Sequence, residues 1–215
     1  KKDIFVPNSS LQEQLGRVAV IADGAHSFGA VANGKKSGQA ADITCFSFHA
    51  VKNLTTAEGG ALTWSEALNV DSEVFYRTLR VYSLHGQNKD AFEKSQINSW
   101  EYDIVYPAYK FNMTDISSAL GRSQLQRYPQ TLAKRYALVK QYEEELKGLP
   151  LEIYQHRGEN FVSSHHIMMI SMKGYHEKQR NELIKKLAAN GIATNVHYKP
   201  LPMYTAYQVL GFDIE

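Results

Sequence analysis

The sequence is poor in cysteine, in long apolar runs and in surplus charge of either sign. Cys45 is the one cysteine of 215 residues, which excludes an internal disulfide framework and predicts a reducing, cytoplasmic location. No apolar run approaches the roughly 18 residues that span a bilayer. The formal net charge is +2, and no basic stripe of the kind that binds nucleic acid or membranes is present. We therefore expect a cytoplasmic globular protein with neither of those partners.

The first third of the chain has the pattern of an α/β protein. Short apolar segments rich in β-branched and aromatic residues occur at 17–22, 42–48 and 60–64, and each is predicted to be a buried strand. The stretch 29–38 is rich in Gly, Asn and Lys and is predicted to be a surface turn. This part of the chain is therefore expected to contribute strands to one sheet.

A long helix is predicted after residue 112. The NMTD segment at 112–115 offers capping oxygens before the helix, and Gly148-Leu149-Pro150 would end it. Pro129 lies inside the pattern and predicts a kink or a fresh helix start. Apolar side chains recur every three or four positions, at Leu125, Tyr128, Leu132, Tyr136, Val139, Tyr142 and Leu146.

The end of the chain has the pattern of a small α+β unit. A strand is predicted at 165–172, an amphipathic helix at 177–190 and a further short strand at 192–196. Gly191 stands where a left-handed C-cap is expected. A domain boundary is predicted near 148–160, where the Gly-Leu-Pro stop meets a polar stretch.

Two residues at the ends of predicted strands could carry chemistry. Asp23 stands at the carboxyl end of the first strand, where ligands of open α/β sheets bind, although it could equally be a turn aspartate. Lys52 lies in an apolar setting that favours the neutral, nucleophilic amine, although a loop lysine is usually just solvated. Together they match the chemistry of pyridoxal phosphate (PLP), in which a carboxylate keeps the pyridine nitrogen protonated opposite a lysine Schiff base.

Three longer blocks extend this pattern: IADGAHSFGA at 21–30, CFSFHAVKNLTTAEGGAL at 45–62 and YPAYKFNMTDISSALGRSQLQR at 106–127. In sequence, order and spacing they resemble the DegT/DnrJ/EryC1/StrS family of PLP-dependent nucleotide-sugar aminotransferases. The middle block is similar to that of enzymes that aminate C4 of a nucleotide-linked 4-keto sugar, such as 4-amino-4-deoxy-arabinose and perosamine-type synthases. The resemblance extends from about residue 10 to the end of the chain.

The resemblance implies an α/β fold of the aspartate aminotransferase type, fold type I of the PLP-dependent transferases. Residues 1–148 would be the C-terminal portion of the large, PLP-binding mixed-sheet domain with its trailing helices, and residues 149–215 an incomplete small α+β domain. Family members are longer. Before the strand of Asp23 they have a helix N-terminus that binds the cofactor phosphate and an aromatic that stacks on the pyridine ring. The chain is therefore expected to be a fragment.

The resemblance also implies cofactor-binding roles. Asp23 would pair with the pyridine nitrogen, and His26, a glutamine in many members, would lie near the ring and its 3′-oxygen. Ser47 would bind the phosphate, and Lys52 would form the Schiff base. Asn112 would reach the cofactor phosphate of a neighbouring subunit, which implies a homodimer with shared active sites. Two of these residues have structural alternatives, Ser47 as a strand-end hydroxyl and Asn112 as a helix cap.

The remaining histidines receive more limited predictions. His49, three residues before Lys52, could line the sugar pocket or serve a structural role. The segment containing His197 resembles the family's late His-Tyr segment near the substrate entrance. His165 and His166 would point to opposite faces of a strand, so at most one could reach a shared site. No metal site is predicted, because no HExxH or Cys-x-x-Cys motif is present.

The implied reaction is transamination of a nucleotide-linked keto sugar, at C4, with glutamate as amino donor and 2-oxoglutarate as by-product, in surface polysaccharide or amino-sugar biosynthesis. Two alternatives remain open. A PLP-dependent sugar dehydratase on the same scaffold typically has histidine in place of the lysine, and Lys52 argues against it. A non-catalytic or regulatory homologue is disfavoured by the intact set of Asp23, Ser47 and Lys52.

Overall fold

A computed structural model describes residues 4–212 and Ile214. In chain order the strands are β1 (Ile21–Asp23), β2 (Val31–Ala32), β3 (Lys35–Lys36), β4 (Ile43–Ser47), β5 (Gly60–Trp64), β6 (Leu151–Ile153), β7 (Arg157–Gly158), β8 (Phe161–Val162) and β9 (Ile170–Met172). The helices are α1 (Ser10–Leu15), α2 (Ser72–Ser83), α3 (Ala91–Lys94), α4 (Asp115–Glu145), α5 (Glu177–Ala189) and α6 (Thr205–Gln208), with short 3₁₀ helices at Glu66–Leu68 and Leu201–Met203.

The chain divides into two compact units. The first contains the chain up to Lys147 and also Tyr154–Met168, and the second contains Gly148–Ile153 and the chain from Met169. The sequence pattern predicted one boundary, near residues 148–160. In the structure, residues Tyr154–Met168 belong to the first unit, because β8 in this segment pairs with β2. The assignment of the units as the large and small domains of an aminotransferase stays a prediction.

The central sheet of the first unit has the order β1-β4-β5. The strands β1 and β4 are parallel, with Asp23 opposite Cys45, and β5 runs antiparallel to β4, with Gly60 opposite Ser47. The strands predicted at 42–48 and 60–64 are therefore confirmed. Because β1 and β4 are parallel, their carboxyl ends lie at the same edge of the sheet, and Asp23 and Ser47 lie at these ends.

The strand predicted at 17–22 begins later, at Ile21, because the main-chain N–H of Val20 donates to the Asp42 carboxylate, at 2.8 Å, and not to a neighbouring strand. The guanidinium of Arg17 donates to both oxygens of the same carboxylate at 2.6 and 2.7 Å. The hydrogen bond from Arg17 is the main reason that the pKa of Asp42 is lowered to about 2. The pair ties the segment before β1 to the residue that precedes β4.

The stretch 29–38, predicted to be a surface turn, contains a small hairpin. The strands β2 and β3 pair through two residues each, and β2 also pairs with β8, which pairs with β7. Asn33 and Gly34 connect β2 and β3 and both have positive φ, 51° and 74°. An Asn-Gly pair is the usual two-residue connection of such a hairpin. The turn prediction was therefore incomplete.

The long helix predicted after residue 112 is α4, and Thr114 is its N-cap. The helix continues through Pro129, so the alternative of a fresh start at this proline was wrong. The predicted apolar face is buried in part, at Tyr128 and Val139. After the helix, Gly148 adopts a left-handed conformation with φ 84°. No helix within residues 4–212 combines the length and apolar character needed to cross a membrane.

The core of the first unit lies between the sheet and α4. Aromatic rings fill it in edge-to-face contacts. The centroid of the Phe28 ring lies 5.2 Å from Phe46, 5.5 Å from Phe48 and 5.1 Å from Tyr128. Leu54, two residues after Lys52, is buried in the same cluster. The loop that carries Lys52 is thus anchored in the core.

The second unit contains the antiparallel pair β6 and β9. The predicted helix is confirmed as α5, and Gly191 has the expected left-handed φ of 78°. No strand forms at 192–196 in the described structure, so that prediction was wrong. The strand predicted at 165–172 is present only as Ile170–Met172, because the carbonyl groups at its predicted start bond to side chains instead of to a neighbouring strand.

Candidate active site

The carboxyl edge of β1 and β4 is shaped by a tight turn after Asp23. The Asp23 carboxylate accepts a hydrogen bond of 3.0 Å from the N–H of Ala25, as aspartates in turns commonly do. The N–H of Gly24 donates to the carbonyl of Cys45 at 2.7 Å. A Cβ atom at Gly24 would lie 2.7 Å from Cγ2 of Thr44, so the close approach of this turn to β4 requires glycine. The turn places Asp23 at the edge with its side chain exposed.

A pocket lies beside this turn, and it brings together three predicted site residues: His26, Ser47 and Lys52. The side chains of Phe28 and Leu54 give the pocket an apolar floor that belongs to the core. An amine, a hydroxyl and an imidazole therefore share one recess at the edge of a sheet, which is where α/β proteins bind ligands. The full lining is Ala25, His26, Phe28, Ser47, Lys52, Asn53, Leu54 and His166.

The loop after β4 holds Lys52 at this pocket through hydrogen bonds of its main chain. The N–H of Lys52 donates to the carbonyl of His49 at 2.9 Å, and the N–H of Thr56 donates to the carbonyl of Phe48 at 2.9 Å. Thr56 is 1% exposed and its hydroxyl donates to the carbonyl of Glu58 at 2.9 Å. The loop is thereby closed on itself, and Lys52 is half-buried.

The structure adds Asn53 and His166 to the site. The Asn53 amide donates to the carbonyl of Ser164 at 2.7 Å and contacts Nδ1 of His166 at 2.9 Å. The His166 ring lies 4.4 Å from the ring of His26, centroid to centroid. In the sequence, the only signals for these residues were the position of Asn53 beside Lys52 and the paired histidines at 165 and 166.

His165 points into the protein interior and packs against His156. Their rings stack at 5.3 Å with an interplanar angle of 14°. Burial is the main reason that the pKa of each of these histidines is lowered, so both rings are neutral near pH 7. The expectation that at most one histidine of the pair reaches the site agrees with this arrangement, although His165 and His166 do not lie in a strand.

Four other predicted residues do not line this pocket. Asp23 is exposed at the sheet edge beside it. Asn112 is exposed, and its N–H donates to the carbonyl of Ser83 at 3.1 Å. It does not cap α4, since Thr114 does, so the structural alternative for Asn112 was wrong. His49 is exposed and lies 3.5 Å from the Glu58 carboxylate. His197 belongs to the second unit.

No group of three or more metal-ligating side chains occurs in the part of the chain that the structure describes.

The chain belongs to the DegT/DnrJ/EryC1/StrS aminotransferase family, which it matches over residues 12–214. The fold is that of sugar aminotransferases of known structure. The putative sugar aminotransferase Spr1654 of Streptococcus pneumoniae in its PMP form is 48% identical, has a TM-score of 0.92, and is matched over 99% of this chain and 53% of its own. The PLP form of the same protein has a TM-score of 0.90 at 45% identity, with 99% of this chain and 52% of its own covered.

Two further relatives are more distant. Helicobacter pylori PseC, an aminotransferase involved in the biosynthesis of pseudoaminic acid, is 30% identical with a TM-score of 0.76, over 95% of this chain and 52% of its own. The uncharacterized protein MJ1066 of Methanocaldococcus jannaschii is 35% identical over 88% of this chain and 48% of its own. The chain thus spans about half the length of the relatives that it matches.

Proposed function

We propose that the full-length protein containing this chain is a PLP-dependent sugar aminotransferase of fold type I. In this proposal it transfers the amino group of glutamate to the C4 keto group of a nucleotide-linked sugar. The observation that carries the proposal is the half-buried Lys52, which shares a recess with Ser47 and His26 at the carboxyl edge of β1 and β4. Membership of an aminotransferase family supports the assignment of PLP chemistry to these residues.

The residues of the pocket fit PLP in kind. The cofactor carries an aldehyde, a phosphate dianion and an aromatic ring with a basic nitrogen. Lys52 offers a primary amine for the aldehyde, and Ser47 offers a hydroxyl donor for the phosphate. The imidazole of His26 and the apolar side chains of the recess suit a flat ring. Asp23 adds a carboxylate at the same edge of the sheet for the ring nitrogen.

Each residue then has a defined task. Bound PLP supplies the electron sink that stabilises the charge left when a proton leaves the carbon next to the amine. Asp23 would hold a proton on the pyridine nitrogen, and Ser47 would anchor the phosphate. Nζ of Lys52 would take a proton from the α-carbon of glutamate in the first half-reaction. In the second half-reaction it would give a proton to the sugar carbon.

The substrate class follows from the motif around Lys52 and from the relatives. The block at 45–62 is similar to that of enzymes acting at C4 of nucleotide-linked keto sugars. PseC, which matches 95% of this chain, takes part in the biosynthesis of pseudoaminic acid. We therefore assign the protein to amino-sugar or surface polysaccharide biosynthesis in the cytoplasm. Assays with nucleotide keto sugars that differ in the position of the keto group test the C4 assignment.

We further propose that the protein is a homodimer with shared active sites. Asn112 is exposed and lies outside the pocket of its own chain, as expected for a residue that serves the site of a second copy. The chain around it carries large apolar side chains that are about two-thirds or more exposed, which is typical of a surface covered by a partner. They include Trp100 (75%), Tyr109 (72%), Phe111 (66%) and Ile116 (79%).

The first test is the covalent attachment of PLP at Lys52. The full-length protein is incubated with PLP, reduced with borohydride, and digested for mass spectrometry. We expect the cofactor on the peptide that contains Lys52 and its complete loss in Lys52→Ala, since no other amine lines the pocket. The variant Lys36→Ala, in the exposed strand β3, should keep the label. A label that persists on the Lys52→Ala protein at the wild-type level would refute the assignment.

The second half of this test separates an aminotransferase from the alternatives. Addition of glutamate to the PLP-loaded protein should convert the cofactor into pyridoxamine phosphate, with one 2-oxoglutarate formed per cofactor. A regulatory homologue would bind PLP without this conversion. A dehydratase would release water from a keto sugar and would transfer no amine to it.

A further inference from the structure

Asn53 is a buried polar residue to which the proposed mechanism assigns no task. It follows Lys52 directly and is 8% exposed. A buried amide is costly unless its donor and acceptor are both bonded. Its Nδ2 lies 2.7 Å from the carbonyl oxygen of Ser164, and its Oδ1 lies 2.9 Å from Nδ1 of His166. Both of these contacts span more than 100 residues of sequence.

The two contacts fix the position of the proton on the His166 ring. A peptide carbonyl only accepts hydrogen bonds, so the NH₂ group of Asn53 must face Ser164. Oδ1 of Asn53 therefore faces His166, and because an amide oxygen also only accepts, Nδ1 of His166 must be the donor. The opposite orientation of the amide would set two oxygens against each other. In the neutral form of the His166 ring the proton is thus on Nδ1, and Nε2 is the basic nitrogen.

Other bonds hold the main chain of this segment. Nη1 of Arg135, from α4, donates to the carbonyls of His165 and His166 at 3.3 and 3.1 Å. The Ser164 hydroxyl donates to the carbonyl of His26. The backbone of residues 164–166 is therefore fixed by α4 and by the turn after β1, while Asn53 acts on the imidazole of His166. That imidazole lines the pocket together with Lys52.

We propose that Asn53 is a positioning residue of the active site, which fixes the tautomer and the orientation of His166 so that this ring accepts hydrogen bonds through Nε2. The proposal rests on the proposed function, in which the molecule bound at Lys52 carries N–H and O–H groups. A ring that accepts through Nε2 favours ligands that present a donor to it, such as an amine or a sugar hydroxyl. Because Asn53 and Lys52 are adjacent in one loop, the bond from Asn53 to His166 also fixes the position of the His166 imidazole relative to the loop that carries the Lys52 amine.

The tautomer is measured directly by ¹⁵N NMR of the full-length protein labelled at its histidines. The signal of His166 is assigned from its loss in His166→Gln. We expect a protonated Nδ1 in the wild-type protein and loss of this preference in Asn53→Leu, which has a similar shape but no amide. The variant Asn181→Leu, at an exposed position of α5, should leave the His166 signal unchanged. A wild-type ring protonated at Nε2, or an unchanged tautomer in Asn53→Leu, would overturn the proposal.

Kinetics supply the second measurement. In Asn53→Leu we expect PLP to remain attached to Lys52, with kcat reduced at least about tenfold. Asn53→Asp retains an acceptor for Nδ1–H and, through its charge, stabilises the protonated ring. It should shift the acidic limb of the pH–rate profile upward by about one unit. An unshifted limb would count against the proposal. Because Asn53→Asp sets an oxygen against the Ser164 carbonyl, the tautomer of the wild-type ring, which needs no substitution at Asn53, decides the proposal if neither variant folds.

The outcomes separate this inference from the proposed function. The tautomer is a property of the chain alone, so it can be confirmed even if Lys52 takes no cofactor. In that case the proposed function fails. Conversely, attachment of PLP at Lys52 together with the opposite tautomer refutes only the role of Asn53.

Discussion

Histidine side chains contribute to this structure in two distinct ways. His26 and His166 line the pocket, whereas His156 and His165 are 7% and 3% exposed and stack on each other in the interior. Nδ1 of His156 pairs with the hydroxyl of Ser163 at 2.8 Å. Burial disfavours the charged form of both interior rings and lowers the pKa of each below 6.5.

We predict that the folded protein loses stability as the pH falls below about 6.5, the ordinary pKa of histidine. In that range His156 and His165 bind protons in the unfolded chain but stay neutral in the folded chain. The free energy of unfolding therefore decreases as the pH falls. Urea unfolding at a series of pH values between 8 and 5 measures the slope. Replacing His165 by Phe should flatten it, while His176→Asn, at the exposed N-cap of α5, should not. Equal slopes in the wild type and His165→Phe would contradict the prediction.

The predictability of the site differed from residue to residue. Ser47 ends a short apolar strand and Lys52 follows it in the same contiguous block, and both residues line the pocket. Asn53 and His166 were not predicted, because their hydrogen bond joins residues that lie 113 positions apart. Local sequence patterns report the period of a helix or strand, and they contain no signal for a single long-range hydrogen bond.

At the level of elements, β4 has two different faces. Phe46 in the strand and Phe48 directly after it point toward α4 and belong to the core, whereas Cys45 points to the other face and is exposed. This alternation is the period of two that a strand imposes on its side chains. The core under the pocket therefore depends on one face of β4.

We predict that Phe46→Ala lowers the free energy of unfolding by about 3 to 5 kcal/mol, because it removes a buried ring that contacts Phe28. The matched control is Cys45→Ala on the exposed face of the same strand, which should change stability by less than about 0.5 kcal/mol. Both values come from urea unfolding monitored by circular dichroism. If Cys45→Ala lowered the free energy of unfolding as much as Phe46→Ala, the core would not depend on one face of β4 alone.

Long periodic elements were predicted more successfully than short ones. The helices α4 and α5 each present a repeated apolar pattern, and their positions were predicted to within a few residues. A short strand depends instead on a partner to which its N–H and C=O groups can bond. The segment 192–196 has the composition of a strand without forming a ladder in the described residues, whereas β2 and β3 form one through two residues each.

At the level of the whole molecule, the proposed shared site predicts complementation between two inactive proteins. In a hybrid of Lys52→Ala and Asn112→Ala subunits, one site combines the intact Lys52 of one copy with the intact Asn112 of the other. Random mixing makes half of the dimers hybrids, each with one intact site of two, so about a quarter of wild-type activity should return. The subunits are unfolded together, refolded and assayed with glutamate.

Two controls make this prediction specific. Each variant refolded alone should remain inactive or nearly so. A mixture of Lys52→Ala with Lys52→Arg provides the negative control, because no hybrid of these subunits has an intact Lys52. If the Lys52→Ala and Asn112→Ala mixture shows only the sum of its components, Asn112 does not serve the second copy.

The path of the chain between its two units determines which residues a recombination event would exchange together. The chain leaves the first unit after Lys147, returns at Tyr154 and leaves again after Met168. His166, which forms one wall of the pocket, lies in the returning segment. A single recombination event just after α4 would therefore exchange that wall along with the second unit. Natural or engineered chimaeras that join two family members at this point would retain Lys52 and Asn53 but acquire the other parent's counterpart of His166.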